Sequence, residues 1–262
     1  MRLILTLILI TSVSKAVAGC GGLCDRQWWE SSTLEDLNIL ANDGKYLKDR
    51  DAFGQTPLHW AALMGTAEQI KILLDAGASL KVRTETGQTV LHLASAFGKP
   101  DAIKVLLNAG ADLQSKNASG YSPLHEAAEF GASENIKTLI EAGADIMARG
   151  DNGNTPLHRA AQSQDPKDGV IEALLAAGAD AKAKNFYLSR FELTDKNGNR
   201  IRITAPSNSS KEQVVEIYNC SCFDEETQKK LDNSKTPWEL AQENSKLKGK
   251  KGYWALNDAQ YD

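Results

Sequence analysis

The segment TPLHWAALMG at 56–65 is written again as TVLHLASAFG at 89–98, SPLHEAAEFG at 122–131 and TPLHRAA at 155–161. The four starts, Thr56, Thr89, Ser122 and Thr155, each lie 33 residues apart. A period of this length argues against a fold built round one centre. Each unit is a small supersecondary piece that buries its apolar face only against the next one. A second phrase keeps the same step: IKILLDAGASL (70–80), IKVLLNAGADL (103–113), IKTLIEAGADI (136–146) and, after two extra residues, IEALLAAGADA (171–181). LNILANDGKYL (37–47) extends the register upstream, beside Trp28 and Trp29, without a TPLH of its own.

Each unit reads as two short helices. Thr56 caps the first, and Pro57 suits its first turn, where the missing N–H costs nothing. Ala61 and Ala62 let a neighbouring helix come close, and Gly65 is expected to end the helix in a left-handed conformation. Ile70, Leu73 and Leu74 form the apolar stripe of the second helix, and Gly77 ends it. VRTETGQ then turns the chain back toward Thr89.

Four in-register copies of TPLH-x-A carry a specific resemblance. Over residues 24–185, and again at TPWELA (236–241), the chain resembles the ankyrin-repeat family, and secreted bacterial members of it in particular. Val90 in place of Pro and Ser122 in place of Thr are the departures. The resemblance implies an all-α repeat solenoid, an ankyrin stack of helix-turn-helix units. It also implies a protein partner bound on a concave face made of turn tips and first helices. Tip slots then fall at Ala52, Phe53 and Gln55; Glu85, Thr86 and Gln88; Ala118, Ser119 and Tyr121; Asp151, Asn152 and Asn154. Helix slots fall at Leu63 and Met64, Ala96 and Phe97, Glu129 and Phe130, Gln162 and Ser163. From these, the candidate partner-binding residues are Phe53, Leu63, Met64, Phe97, Tyr121, Phe130 and Asn152, since aromatic anchors dominate protein interfaces. The competing assignment has Phe97 and Phe130 packing on neighbouring repeats.

All four histidines, His59, His92, His125 and His158, occupy the TPLH slot. Metal ligands must converge within about 2 Å of one ion, whereas stacked helices stand about 8–10 Å apart, so this column is not a metal site. In the family it resembles, this histidine hydrogen-bonds nearby turn backbone. No Ser or Cys falls at a fixed offset beside it, no phosphate-cradling loop is present, and Asp75, Glu141 and Asp180 read as helix-end carboxylates. The expectation is a protein that is not an enzyme and uses no cofactor.

After Asn185 the next unit is delayed to Thr236, which leaves an insertion of about 46 residues. RFELT (190–194) and RIRIT (200–204) alternate apolar and polar around DKNGN, the mark of a hairpin. A three-residue loop Lys196-Asn197-Gly198 sets Leu193 opposite Ile201 and keeps each face uniform, so that register is expected. VVEIYNCSCF (214–223) is a candidate third strand and DEETQKKL (224–231) a helical lead-in. The expected organisation is therefore 1–18 signal peptide, 19–55 N-terminal capping repeat, 56–185 four repeats, 186–231 a small β-hairpin-containing insertion, and 232–262 a final partial repeat and cap. In that cap Tyr253, Trp254 and Leu256 are expected to face inward.

Arg2, the apolar run LILTLILITSV and Ala16-Val17-Ala18 describe a secretory signal cleaved after Ala18. Lys15 cuts the run short of a membrane span. Val17-Ala18-Gly19-Cys20 also resembles a lipobox, in which Cys20 would carry lipid; a membrane contact is expected only in that case. The chain is thus expected outside the cytoplasm, periplasmic or extracellular, as a free protein or an envelope-anchored lipoprotein. Four cysteines, Cys20, Cys24, Cys220 and Cys222, fit an oxidising compartment and allow three disulfide connectivities. Cys220-Ser221-Cys222 is the alternative functional element, a thiol redox site, and the insertion itself is a second alternative recognition element. A net charge of −4 gives no field for nucleic acid, and KLKGKK (246–251) reads as a solvated chain end.

Overall fold

The computed structural model describes residues 23–24, 26–185, 193–194, 200–201 and 235–259. These fall into two compact units divided between Asp145 and Ile146.

The first unit holds four helix pairs: α1 (Arg26–Ser31) and α2 (Leu34–Asp43), α3 (Pro57–Met64) and α4 (Ala67–Asp75), α5 (Val90–Phe97) and α6 (Pro100–Asn108), α7 (Pro123–Phe130) and α8 (Ser133–Glu141). First helices pack on first helices, α1 to α3 to α5 to α7, and second on second, α2 to α4 to α6 to α8. The core is a set of columns with one residue from each repeat. Ile70, Ile103 and Ile136 are fully buried in one column, and Leu73, Leu106 and Leu139 in the next. Leu37 fills the first slot of the upstream unit, which is how that unit joins without a TPLH.

The histidines close each first helix at its start. Thr89 N–H donates to Nδ1 of His92 (3.2 Å), and the pair forms a reciprocal capping box with His in the place usually held by Glu. An Nδ1 that accepts leaves the proton on Nε2. That nitrogen then donates to the Tyr121 carbonyl of the following repeat, 3.0 Å away. Thr56–His59, Ser122–His125 and Thr155–His158 build the same box.

Glycines at two recurring positions answer different demands. Gly77, Gly110 and Gly143 are left-handed, φ near +90° (94°, 89°, 92°), and end the second helices with nothing near a notional Cβ. Gly65, Gly98 and Gly131 correct the expectation of a left-handed end, because all three are extended (φ −83°, −76° and −80°). Their reason is space. A Cβ on Gly98 would stand 2.7 Å from the carbonyl oxygens of both Ala62 and Ala94.

The second unit contains α9 (Pro156–Gln162) and α10 (Val170–Ala176), then α11 (Pro237–Glu243) and α12 (Lys251–Ala259). Here too first packs on first, α9 on α11, and second on second, α10 on α12. His158 Nε2 donates to the Lys235 carbonyl at 3.0 Å, the bond that His92 makes to Tyr121. Elsewhere the turn closes between residues four apart, as Asn117 N–H does on the Tyr121 carbonyl at 2.9 Å. Asn185 N–H donates to the Lys235 carbonyl at 3.0 Å in that same role, and Lys235 N–H returns to Asn185 Oδ1 at 2.8 Å across 50 residues. The intervening chain therefore leaves and returns at the tip of one turn. Within it, β1 (Leu193–Thr194) pairs antiparallel with β2 (Arg200–Ile201), Leu193 opposite Ile201 and Thr194 opposite Arg200. The rest of the expected hairpin, the third strand at 214–223, the lead-in at 224–231 and residues 1–22 lie outside the described residues.

The cap departs from expectation at one residue. Leu256 is fully buried and Tyr253 half-buried, but Trp254 is 57% exposed. The inward face of α12 is set by Gly252 and Leu256, i and i+4, with Gly252 against Ile171. Trp254, two residues from each, points about 200° round the helix from Gly252.

Candidate protein-binding face

The turn tips of the first unit are joined edge to edge. Glu85 N–H donates to the Phe53 carbonyl and Ala118 N–H to the Thr86 carbonyl, each at 3.0 Å. A column of arginines reinforces them. Arg83 Nη1 donates to the Gly87 carbonyl of its own turn (2.8 Å) and to the Lys116 carbonyl of the next (2.7 Å). Arg50 reaches Gly54 and Arg83 in the same way, and in the second unit Arg149 reaches Gly153 and Lys184. These residues were legible only as a basic slot at 50, 83, 116 and 149, 33 residues apart, and motif reading passes over it because the signature lies elsewhere. The result is a rigid row of tips, each held by main-chain and guanidinium bonds.

On that row and the adjoining faces of α3, α5 and α7 stand the expected contact residues. Phe53, at a tip, is 69% exposed. Phe97 and Phe130, at the ends of α5 and α7, are 55% and 40% exposed and stack on each other with ring centroids 5.5 Å apart and planes at 27°. The competing assignment thus holds, since each ring packs on that of the neighbouring repeat, and each also keeps part of its surface in solvent. Leu63 and Met64 are half-buried beside them on α3. Trp60 is fixed by its indole N–H to Asp51 Oδ2 at 2.9 Å.

Tyr121 does not join this surface. It is only 9% exposed, with its ring 5.1 Å from that of His125. Its slot directly precedes the N-cap residue and turns inward, as the half-buried Gln55 and Gln88 in the same slot do. Asn152, in the second unit, is exposed at its tip, where Oδ1 accepts from Asn154 N–H at 3.2 Å.

All four histidines are buried. Burial pushes His59, His92 and His158 down to about 4, so each imidazole is neutral near pH 7. Both nitrogens of His92 are engaged with backbone. Among the described residues no three His, Cys, Asp or Glu side chains come together as a metal site. Cys24 is buried and no described cysteine is a free thiol, while Cys20, Cys220 and Cys222 lie outside the described residues.

A family model for ankyrin repeats (3 copies) matches residues 30–117 and 110–185. The chain belongs to the ankyrin-repeat family. No curated protein matches the chain. Ankyrin repeats generally mediate protein–protein contact and serve as non-catalytic scaffolds, and here Phe53, Phe97 and Phe130 are exposed on the tips and first helices, while Leu34 and Ile39 are exposed on α2 and Trp254 on α12.

Proposed function

We propose that this ankyrin-repeat chain is an exported docking module that binds a partner protein through the face made by its turn tips and first helices. The observation that carries the reading is the stacked, solvent-facing Phe97–Phe130 pair with Phe53 on the adjoining tips. Large rings held in place by their neighbours present area to a partner with little ordering cost, which is the character of a binding hot spot. Phe53, Leu63, Met64, Phe97 and Phe130 make the contact of the first unit in this reading, and Asn152 is the candidate of the second unit.

Export rests on the N-terminal segment, with cleavage after Ala18 for a free periplasmic or extracellular protein, or modification of Cys20 for an envelope lipoprotein. Disulfide bonding of the cysteines fits that address, and the burial of Cys24 without a free thiol supports it. The test is capture of partners from envelope extract by the wild type and by Phe53→Ser/Phe97→Ser/Phe130→Ser, read by mass spectrometry. A partner enriched by the wild type and lost by the variant supports the reading, and the same partners retained by both would sink it.

One observation favours a second reading. The insertion departs from a turn tip of the second unit, clasped at its base by Asn185 and Lys235, so it lengthens the kind of element that the ankyrin reading assigns to recognition. Recognition by the insertion itself predicts that capture fails when residues 187–231 are removed and survives the three Phe substitutions.

A further inference from the structure

The C-terminal cap carries a feature that the docking face does not use. A terminal repeat needs a polar outer face, yet Trp254 stands on it 57% exposed. Its ring meets Tyr253 edge-on (centroids 5.1 Å, planes at 86°), and Tyr253 in turn lies 4.8 Å from Trp238, so the exposed indole is braced from behind. Lys251 precedes it by one turn on the same exposed stripe of α12, and Lys246 and Lys248 are exposed on the loop that leads in.

Among the described residues none of these three ammonium groups closes an ion pair, although the charge of Lys246 is felt by Asp165. The acids of α11 are already taken, Glu239 by Lys184 at 3.6 Å and Glu243 by Lys235. Lys250 is held by Asp168 (3.9 Å) and the Pro166 carbonyl, and Asp165 by Lys167. Asp258 is the one acid on the exposed stripe of α12, nearly two turns beyond Lys251. Among the described residues, the result is a lysine cluster with no ion pair of its own beside one braced, exposed indole.

We propose that this cap is a docking surface for an anionic lipid bilayer. Lysines draw the cap to acidic headgroups, and a Trp–Tyr pair settles at the boundary between headgroup and acyl chain, where amphipathic rings are most stable. The arrangement fits a membrane better than nucleic acid. Single strands are held by a succession of open ring faces along a basic groove, whereas here one ring is open and its neighbours are edge-on or behind it. The contact needs no lipid on Cys20 and is independent of the partner face in the first unit.

The test is flotation of the purified full-length chain with vesicles of phosphatidylcholine alone and of phosphatidylcholine with phosphatidylglycerol (three to one). The N-terminal apolar segment, common to all variants, gives a charge-independent background that the first vesicle type measures. Wild type is expected to partition about tenfold more strongly onto the anionic vesicles, and Lys246→Gln/Lys248→Gln/Lys251→Gln to lose most of that difference with an unchanged circular dichroism spectrum. Quenching of tryptophan fluorescence by brominated lipid in the anionic vesicles should fall in Trp254→Phe. Equal partition onto both vesicle types, wild-type partition by the lysine variant, quenching unchanged in Trp254→Phe, or stronger binding to a single-stranded oligonucleotide than to anionic vesicles would each overturn the proposal.

Discussion

At the scale of single residues, the period conceals two kinds of recurrence. Gly98 and Gly110 look alike in sequence, both recurring and both at helix ends. One is required because carbonyl oxygens stand 2.7 Å from where a Cβ would be, the other because φ is +89°. Asparagine tolerates the left-handed region but has a Cβ. Gly110→Asn should therefore cost under about 1 kcal/mol, and Gly98→Asn about 1–3 kcal/mol or more, as overpacking does. Urea unfolding of the two variants measures this, and equal losses would contradict the assignment. The histidines give a pH dependence whose sign is fixed. Their folded values, about 4, lie below the ordinary 6.5, so the unfolded chain binds more protons between those limits. Stability should be intact above pH 6.5 and fall as the pH drops toward 4, because a proton on Nδ1 would face the N-cap N–H that it now accepts from. His92→Gln should be less stable at pH 7 and show a shallower acid slope, and urea midpoints at pH 7, 5.5 and 4.5 would reveal the opposite. What residue-level reading missed has a common origin. Periodicity names a slot but not the direction its side chain takes, so Tyr121, expected on the face, is buried, and Trp254, expected inside, is exposed.

At the scale of elements, almost everything periodic was legible. Pro57 at N1, the apolar stripe of Ile70 and Leu73, and the left-handed Gly77 are local signals that tertiary packing reinforces. Leu74, the outer edge of the expected stripe, is only half-buried. The arginine column was not legible, because its partners are backbone carbonyls and a carbonyl leaves no trace in a sequence. Arg83→Ala removes bonds to Gly87 and Lys116 and should cost about 1–3 kcal/mol, the range for hydrogen bonds to a charged group. Arg83→Lys should recover only part, since one ammonium does not reproduce the guanidinium fork. The insertion starts and ends within hydrogen-bonding distance at Asn185 and Lys235. Replacing 186–234 by the tip Ala118-Ser119-Gly120 should keep α11 and α12 folded, with a melting temperature within a few degrees of the parent. Loss of those helices would show that the insertion holds the last repeat.

At the scale of the molecule, recurrent residues make the stack and irregular ones are left to meet other molecules. Columns of Ile and Leu, capping boxes and tip ladders repeat with the period. Phe53 and Trp254 occur once, and the Phe97–Phe130 pair fills one slot in only two of the repeats, where Met64 and Ser163 stand in the others; these rings are the large apolar groups that remain in solvent at the tips, the first helices and the cap. The direct measurement is site-specific photo-crosslinking in envelope extract, with benzoylphenylalanine placed at Phe97 or at Ile39, which is 61% exposed on α2. The account predicts a discrete partner adduct from position 97 and none from position 39. Adducts from 39 alone, or the same adducts from both, would contradict it.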